Sequence, residues 1–211
     1  MICISISELS QLNPVFDKGA ELIELRLDLM ASHPLEIFPK IPAGIKTVAT
    51  CRPGIYSEKE RIALLIASIE LGASYVDLEL ESKEAFVRAL MQSMEKTSCE
   101  AIFSHHDFTG TPAPKDLRNK LEECYNRGGV LAKIATMVHS REDALNLLSL
   151  HSFPGRKVIL GMGPEGRITR VAAPLLGSEF TFASPGEGGE TAPGQMNAEQ
   201  LQTIYNIING L

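Results

Sequence analysis

The chain has 211 residues, of which 44% are hydrophobic and 22% charged, and its formal net charge at pH 7 is −6. These values are ordinary for a globular protein of one domain and allow a core of useful size. The negative charge argues against nucleic acid or an anionic membrane as a partner. No apolar run approaches the ~20 residues of a membrane span. The N-terminal sequence lacks the features of a signal peptide, so we expect a cytoplasmic protein.

The cysteines are widely spaced and form no CxxC pair. This spacing disfavours both a zinc ribbon and a disulfide scaffold. At least Cys3, Cys51 and Cys99 lie in or beside apolar runs, so we predict buried thiols. We expect no metal site.

Short apolar, β-branched runs recur along the chain at intervals of roughly 25 residues, which is the spacing of strands in a (β/α)₈ barrel. Most are apolar on both faces, as strands buried on both sides of a parallel sheet are. The predicted strands are Ile2–Ile6, Leu22–Leu27, Thr47–Cys51, Tyr75–Leu80, Ala101–Ser104, Leu131–Ala135, Lys157–Leu160 and Phe180–Ala183.

Stretches with helical periodicity separate these strands. The sequence Ser57–Leu71 opens with a capping box of Ser57 and Glu60, and its apolar residues recur with the helical period. The alternation predicts a parallel α/β fold, and eight repeats in a chain of this length favour a closed (β/α)₈ (TIM) barrel, a single domain spanning residues 1–211. The other predicted helices are Ser82–Met94, Pro114–Tyr125, Ser140–Leu150 and Asn197–Ile208, with weaker patterns at Leu35–Pro39 and Thr169–Leu176.

The carboxyl ends of barrel strands are where chemistry is expected. Near the end of the second strand, the alternation places Glu24, Arg26 and Asp28 on one face. Buried charges are costly unless they are paired or used, so these residues form either an ion network or part of a site. Arg52, after the third strand, is either a clamp for hydroxyls or a carboxylate, or a surface arginine.

The next two strands also end in polar residues. Asp77 and Glu79 share a face of the fourth strand, which suits either pairing with a buried cation or catalysis. His106 and Asp107 follow the fifth strand, and a histidine there is suited to acid–base chemistry near neutral pH. The alternative is a turn capped by the aspartate. No HxH or HxxxH spacing supports a metal ion.

The most specific single residue is Lys133, in the apolar sixth strand. Burial disfavours the charged ammonium and exposes a neutral amine, which can attack ketones and aldehydes. The alternative is a lysine that reaches solvent at the strand end or pairs with Glu79.

Two glycine-rich segments follow. Gly161–Gly166 matches the GxGxxG pattern that cradles phosphates, although Pro164 removes one amide donor. Arg170, a few residues later, is suited to bind a phosphate or a carboxylate. Ser184–Gln195 has the composition of a lid, in which Thr191 and Gln195 are potential hydrogen-bond donors, and the alternative is a solvated loop.

Taken in order, these segments resemble the type I 3-dehydroquinate dehydratase family. No single motif is specific, but the ordered set is. The matching pieces are ExRxD at Glu24–Asp28, TxR at Thr50–Arg52, SxHDF at Ser104–Phe108, the lysine strand Ala132–Ala135, the run Met162–Arg170 and APGQ at Ala192–Gln195.

The resemblance implies a (β/α)₈ barrel, usually a homodimer, that needs no metal and no organic cofactor. It implies syn elimination of water from 3-dehydroquinate to give 3-dehydroshikimate, in the shikimate pathway to aromatic amino acids. Relatives also occur fused to shikimate dehydrogenase, so a longer fused polypeptide stays open for this chain. The hairpin that plugs the barrel bottom in some relatives has no evident counterpart.

The resemblance also implies roles for individual residues. Lys133 would form an imine with the C3 ketone, and His106 would transfer protons. Arg170 and Gln195 would hold the substrate carboxylate. The remaining contacts to the substrate would come from Glu24, Arg26, Arg52, Met162 and Thr191.

One departure from the family concerns the loop after TxR, where members carry a glutamate that supports the histidine. Here Glu58 is the candidate counterpart, with Asp107 as a second candidate for support. Other interpretations stay open: another class I Schiff-base barrel of the aldolase kind, a non-covalent phosphate-binding barrel that uses Gly161–Gly166, or an inactive sensor of a pathway metabolite.

Overall fold

A computed structural model describes residues 1–30 and 33–210. Its eight strands are all parallel and form one sheet in the order β7-β6-β5-β4-β3-β2-β1-β8. The predicted (β/α)₈ barrel is confirmed. The strands are β1 (Ile2–Ile6), β2 (Leu22–Arg26), β3 (Lys46–Thr50), β4 (Tyr75–Glu79), β5 (Glu100–Asp107), β6 (Leu131–Met137), β7 (Arg156–Met162) and β8 (Thr181–Ala183).

The barrel is nearly closed, because β1 pairs with both β2 and β8. The remaining seam lies between β7 and the segment that leads into β8. There the amide of Glu179 donates to the carbonyl of Lys157 at 2.8 Å, and the amide of Ile159 donates to the Ser178 hydroxyl at 3.2 Å. The seam therefore holds the sheet in a ring without a regular ladder.

The helices agree with the predictions except at two connections. The predictions missed α1, a short helix with Pro14 in its first turn, where a missing amide hydrogen costs little. Between β2 and β3 the chain forms a 3₁₀ helix, Pro34–Lys40, instead of an α-helix. The α-helices are α1 (Leu12–Asp17), α2 (Glu58–Glu70), α3 (Glu84–Met94), α4 (Pro114–Asn126), α5 (Arg141–Ser149), α6 (Arg167–Leu175) and α7 (Ala198–Asn209).

Side-chain caps set the start of three helices. Ser57, Ser140 and Asn197 each accept a hydrogen bond from the amide three residues later, and the residue there bonds back to the cap amide. These reciprocal capping boxes satisfy amides that have no partner inside the helix. The capping box of Ser57 and Glu60 predicted from the sequence is confirmed.

Two apolar layers make up the core. The outer layer lies between the barrel and its helices. The inner layer fills the lower half of the barrel with residues near the amino ends of the strands, among them Leu22, Tyr75 and Phe180. The cysteines are all buried and unbonded, as predicted. No helix within the described ranges has both the length and the apolar character needed to cross a bilayer.

A cluster of charges covers the amino-terminal end of the barrel. The Arg156 guanidinium lies 2.8 Å from Glu100, 2.9 Å from Glu179 and 3.1 Å from the Tyr75 hydroxyl. Their charged side chains are each about one-third exposed (36%, 37% and 35%). At this end of the barrel, paired charges thus lie between the inner apolar layer and solvent.

Candidate active site

A cavity of about 440 Å³ opens at the carboxyl ends of the strands. Barrels place their active sites at this end. A larger groove, of about 780 Å³, lies at the opposite end beside α7, but none of the residues predicted for the site lines it. The 440 Å³ cavity collects the residues predicted for catalysis and substrate binding: Lys133, His106, Glu24, Arg26, Arg52, Met162, Arg170, Thr191 and Gln195.

Lys133 projects from the middle of β6 into the barrel and is 5% exposed. Its Nζ lies 2.9 Å from Asp77 Oδ2, 3.9 Å from Glu24 Oε1 and 4.1 Å from the centre of the Phe182 ring. The pairing with Glu79 considered from the sequence is wrong. Glu79 lies two residues nearer the carboxyl end of β4, where it pairs with Arg52 and Arg61.

Asp77 lies between two cations. Besides Lys133, Arg52 Nη2 lies 2.9 Å from its carboxylate, and the Ser104 hydroxyl donates to it at 2.5 Å. Burial alone would raise the pKa of Asp77, but the charges of Arg52 and Lys133 outweigh burial and hold it well below the usual range. Asp77 is therefore ionised and orients the lysine.

The charges of β2 share the cavity face, as the alternation predicted. Glu24 is buried and accepts hydrogen bonds from Ser5 Oγ at 2.7 Å and Thr50 Oγ1 at 2.8 Å. Arg26 makes a bidentate pair with Asp28, at 3.1 and 2.6 Å. The pairing keeps both side chains in place at the cavity rim.

His106 lines the cavity from β5, which extends as a strand to Asp107. Burial, followed by the nearby positive charges of Arg52 and Lys133, lowers the pKa of His106 well below its ordinary value. Its imidazole is therefore neutral and able to accept a proton. The adjacent His105 is on the opposite face of the strand and contacts Glu81 at 2.6 Å.

Neither candidate for support of the histidine lines the cavity. Glu58 is the first residue of α2, where its partly exposed side chain pairs with Lys83 at 3.0 Å. Asp107 accepts hydrogen bonds from the amide and hydroxyl of Thr109, at 2.8 and 2.6 Å, and so caps a turn. The structure does not bring Glu58 or Asp107 to His106.

Arg170 is 1% exposed and contacts the cavity from α6. Within the part of the chain that the structure describes, its Nη1 lies 3.4 Å from the Phe182 carbonyl and its Nε has no partner. Burial lowers the pKa of Arg170 to about 10. A buried arginine without a carboxylate is suited to bind an anionic group that enters the cavity.

The glycine-rich loop after β7 packs against the lid segment. Its Gly163 amide donates to Pro193 O at 3.1 Å, and the Gly161 amide donates to Thr169 Oγ1 at 2.6 Å. A β-carbon on Gly194 would lie 2.2 Å from the Gly163 carbonyl oxygen. These glycines permit close backbone packing, and the amides that a phosphate would need are occupied.

The lid segment lies over the cavity. Thr191 O accepts a hydrogen bond from Arg26 at 3.5 Å, and Gln195 Oε1 accepts one from the Thr191 amide at 2.8 Å. Gln195 Nε2 in turn donates to Ser5 Oγ at 3.4 Å. The lid is thereby joined to two strands of the barrel.

Sequence reasoning missed several residues of the cavity. Ser5 and Phe182 line it, and each was within a predicted strand, so alternation within β1 and β8 could have placed them inside. Phe108, within the quoted SxHDF motif, also lines it. Among residues 1–30 and 33–210, no three His, Cys, Asp or Glu side chains form a cluster suited to a metal ion.

The chain is similar to known proteins along its whole length. A family model described as Type I 3-dehydroquinase matches residues 2–211. A 3-dehydroquinate dehydratase of Methanocaldococcus jannaschii is 32% identical over 222 residues, which cover 99% of each chain. A crystal structure of the 3-dehydroquinate dehydratase from Aquifex aeolicus VF5 is 28% identical, with a TM-score of 0.88 and full coverage of both chains.

The fold also matches a structure described as dehydroquinate dehydratase and shikimate dehydrogenase from S. pombe AroM. The TM-score is 0.80 at 20% identity, and the match covers 100% of this chain and 44% of that one. At that identity the likeness concerns the fold. The family model and the close coverage of the archaeal relative establish that this chain belongs to the type I 3-dehydroquinase family.

Proposed function

We propose that this hydro-lyase of the type I 3-dehydroquinase family converts 3-dehydroquinate to 3-dehydroshikimate through an imine on Lys133. The observation that carries the proposal is the position of Lys133 Nζ, 2.9 Å from Asp77 in a cavity that also holds a neutral His106. A buried amine beside a proton acceptor is the arrangement that Schiff-base chemistry needs.

The first steps form the imine. The amine of Lys133, after losing a proton, attacks the C3 carbonyl, and the carbinolamine loses water to give a protonated imine. Asp77 is ionised and stabilises the positive charge that stays on the nitrogen. His106 is neutral and transfers protons during the loss of water.

The elimination follows from the imine. Its positive nitrogen withdraws electrons and acidifies the C2 proton, which His106 removes as a base. The imidazolium then protonates the hydroxyl that leaves from the neighbouring carbon as water, so the histidine returns to its neutral form. Hydrolysis of the imine releases 3-dehydroshikimate and regenerates Lys133. The net reaction is the loss of one water molecule from the substrate.

Substrate binding is assigned to the charged and polar lining. Arg170 has no carboxylate partner among the described residues, and we assign it to the substrate carboxylate together with Gln195. The lid residue Thr191 closes over the bound substrate. The remaining lining residues are assigned to ring hydroxyls (Glu24, Arg26 and Arg52) and to packing against the ring (Met162).

The wider setting is part of the same proposal. We expect a single catalytic domain over residues 1–211, in the cytoplasm, acting as a homodimer without a metal ion or organic cofactor. The chemistry above uses only amine, imidazole and carboxylate groups of the chain, which is consistent with that expectation. Whether the native polypeptide is fused to shikimate dehydrogenase stays open, and the mass of the native polypeptide would decide it. Sedimentation analysis would test the dimer.

The test is to mix the protein with 3-dehydroquinate, reduce with borohydride and measure the intact mass. We expect one stable adduct on the wild type, and the enone absorbance of the product in an unreduced sample. Lys133→Ala should give neither. Lys157→Ala is the matched control, because Lys157 is equally buried (5% exposed) but lies on the outer face of the barrel, where it binds backbone carbonyls.

The outcomes separate the competing functions. An adduct on Lys133 without enone product would favour another Schiff-base barrel of the aldolase kind. Absence of both adduct and product would contradict the covalent mechanism and favour a binding protein. A phosphate-binding function is less consistent with the structure, because Gly161 and Gly163 already donate their amides to protein acceptors.

A further inference from the structure

Arg61 of α2 is a buried arginine that the mechanism above does not use. It is 8% exposed, and it is absent from the lining of the 440 Å³ cavity. We infer that Arg61 is a positioning residue: through Glu79 it keeps Arg52 on Asp77 and so maintains the charge balance around Lys133. This inference rests on the proposed function.

Arg61 is held in one orientation by three groups. Its Nη2 lies 3.0 Å from Glu79 Oε2, and its Nε donates to the Cys51 carbonyl at 2.9 Å. Its guanidinium lies over the Phe86 ring, 4.9 Å from the centroid. The side chain therefore spans from α2 to the carboxyl ends of β3 and β4.

Glu79 links Arg61 to the catalytic groups. Its second oxygen, Oε1, lies 3.6 Å from Arg52 Nη1. Arg52 Nη2 in turn lies 2.9 Å from Asp77, which pairs with Lys133 at the same distance. Positive and negative groups thus alternate along Arg61, Glu79, Arg52, Asp77 and Lys133, which we call the ion chain.

The position of Arg61 is electrostatically unfavourable by itself. It lies in the fourth position of α2, near the helix amino terminus, where the backbone dipole disfavours cations. The acidic residues of that turn are engaged elsewhere, since Glu60 bonds to Ser57 and Glu58 pairs with Lys83. Glu79 is therefore the carboxylate that compensates Arg61.

Removal of Arg61 should change the ion chain in two ways. Glu79 would lose its nearer partner and draw Arg52 away from Asp77 and from the substrate. The ion chain would also lose one positive charge, so the surroundings of the Lys133 amine would become more negative. The charged and titratable groups that face Lys133 from other parts of the barrel are Cys3 of β1, Glu24 of β2, Arg52 just after β3, Asp77 of β4 and His106 of β5.

The experiment compares Arg61→Met with the wild type in borohydride trapping with 3-dehydroquinate across pH. We expect the pH of half-maximal adduct formation to rise by roughly half a unit to one unit. KM should rise about tenfold, since Arg52, which we assign to the ring hydroxyls, would be displaced from the substrate. In the double variant Arg61→Met with Glu79→Gln, the number of charges is balanced again, and the pH midpoint should return toward that of the wild type.

Arg127→Met is the matched control. Arg127 also binds backbone carbonyls, of Leu80 and Ser82, and lies over an aromatic ring, that of Phe103 at 5.6 Å. It makes no contact with the ion chain, so its pH midpoint should equal that of the wild type. Far-UV circular dichroism and thermal melts would establish that each variant is folded.

The outcomes distinguish the two proposals. If the wild type forms no adduct, the proposed function fails and the role of Arg61 fails with it. If the wild type reacts and Arg61→Met keeps the same pH midpoint, as Arg127→Met does, only the positioning role is overturned. The positioning role is also overturned if Arg61→Met raises the pH of half-maximal adduct formation and the added Glu79→Gln substitution does not bring it back. That result would indicate a purely structural arginine.

Discussion

Both ends of the barrel carry a cluster of basic and acidic side chains, yet the two clusters have different surroundings. At the amino-terminal end, Arg156 contacts Glu100 and Glu179, and the three side chains are each about one-third exposed. Water can screen these charges, and exposed pairs of this kind contribute little to stability. No cavity residue is part of this cluster.

At the carboxyl-terminal end, basic and acidic side chains are instead buried, and they border the cavity. The side chains of Lys133 and Asp77 are 6% and 0% exposed, and they border a cavity of about 440 Å³. Their burial makes every charge interaction stronger and shifts the protonation of neighbouring groups. The difference teaches that a lysine amine buried beside a cavity is suited to chemistry, whereas an arginine paired with carboxylates at a hydrated surface is suited to a structural role.

The largest effect on activity is expected at the carboxyl-terminal end of the barrel, from His106→Ala. Loss of the proton-transfer group should lower kcat by about 10²- to 10⁴-fold. Steady-state kinetics with the enone product as signal would measure it. His105→Ala is the adjacent control, because His105 is outside the barrel and contacts Glu81. Equal losses in the two variants would show that His106 has no special role.

The next largest effect is expected at the contact between the lid and the β7 loop. In Gly194→Ala the new β-carbon would lie 2.2 Å from the Gly163 carbonyl oxygen, at a residue whose φ is +72°. The lid must therefore move from the cavity, and kcat/KM should fall roughly 10- to 100-fold. Gly188→Ala is the control for strain, because Gly188 has a φ of +75° but nothing within 4 Å. Similar losses in both would contradict a role for the close contact.

A smaller effect concerns pH. Burial and the charges of Arg52 and Lys133 lower the pKa of His106 below 6.5, so its NMR signals should keep their neutral positions at pH 6.5. The pKa of His106 is lower in the folded state than in the unfolded state. The free energy of unfolding therefore keeps its full value, as far as this group is concerned, above about pH 6.5. As the pH falls from 6.5 towards the folded pKa of His106, the free energy of unfolding decreases by about 1.4 kcal/mol per pH unit.

His106→Asn would serve two purposes in this experiment. It assigns the histidine signals, and it should reduce the loss of unfolding free energy between pH 6.5 and pH 5.5, measured by denaturant titration. A His106 signal with its midpoint at pH 6.5 would contradict the lowered pKa.

The smallest effect is expected at the amino-terminal end of the barrel. Arg156→Met should lower the free energy of unfolding by about 1 kcal/mol, because its ion pairs are partly exposed, and should leave kcat/KM unchanged. Urea titration and steady-state kinetics would measure the two quantities. A loss of activity without a loss of stability would show that the two ends of the barrel are coupled.

Much of the site followed from local patterns. The alternation in β2 placed Glu24, Arg26 and Asp28 on one face, and the structure brings all three to the cavity. The apolar run around Lys133 predicted a buried amine, and the lysine is 5% exposed. These inferences needed only the geometry of one strand, which the order of residues determines directly.

Other features depended on how distant segments meet. The partner of Lys133 is Asp77 and not Glu79, since the stagger between β4 and β6 decides which layer faces the amine. Glu58 faces Lys83 while Arg61, three residues later, reaches Glu79, because the packing of α2 on the barrel decides which side of the helix turns inward. The GxGxxG match serves backbone packing against Pro193.

The sequence by itself thus determined the strand order, most of the helices, the barrel class and the faces of individual strands. Only the tertiary structure decided the ion pairs, the position of the lid and the burial of Arg170 without a carboxylate partner among the described residues. The physical reason is that side-chain direction within an element follows from local backbone geometry. Contacts between elements depend on strand stagger and helix packing, which many residues set together.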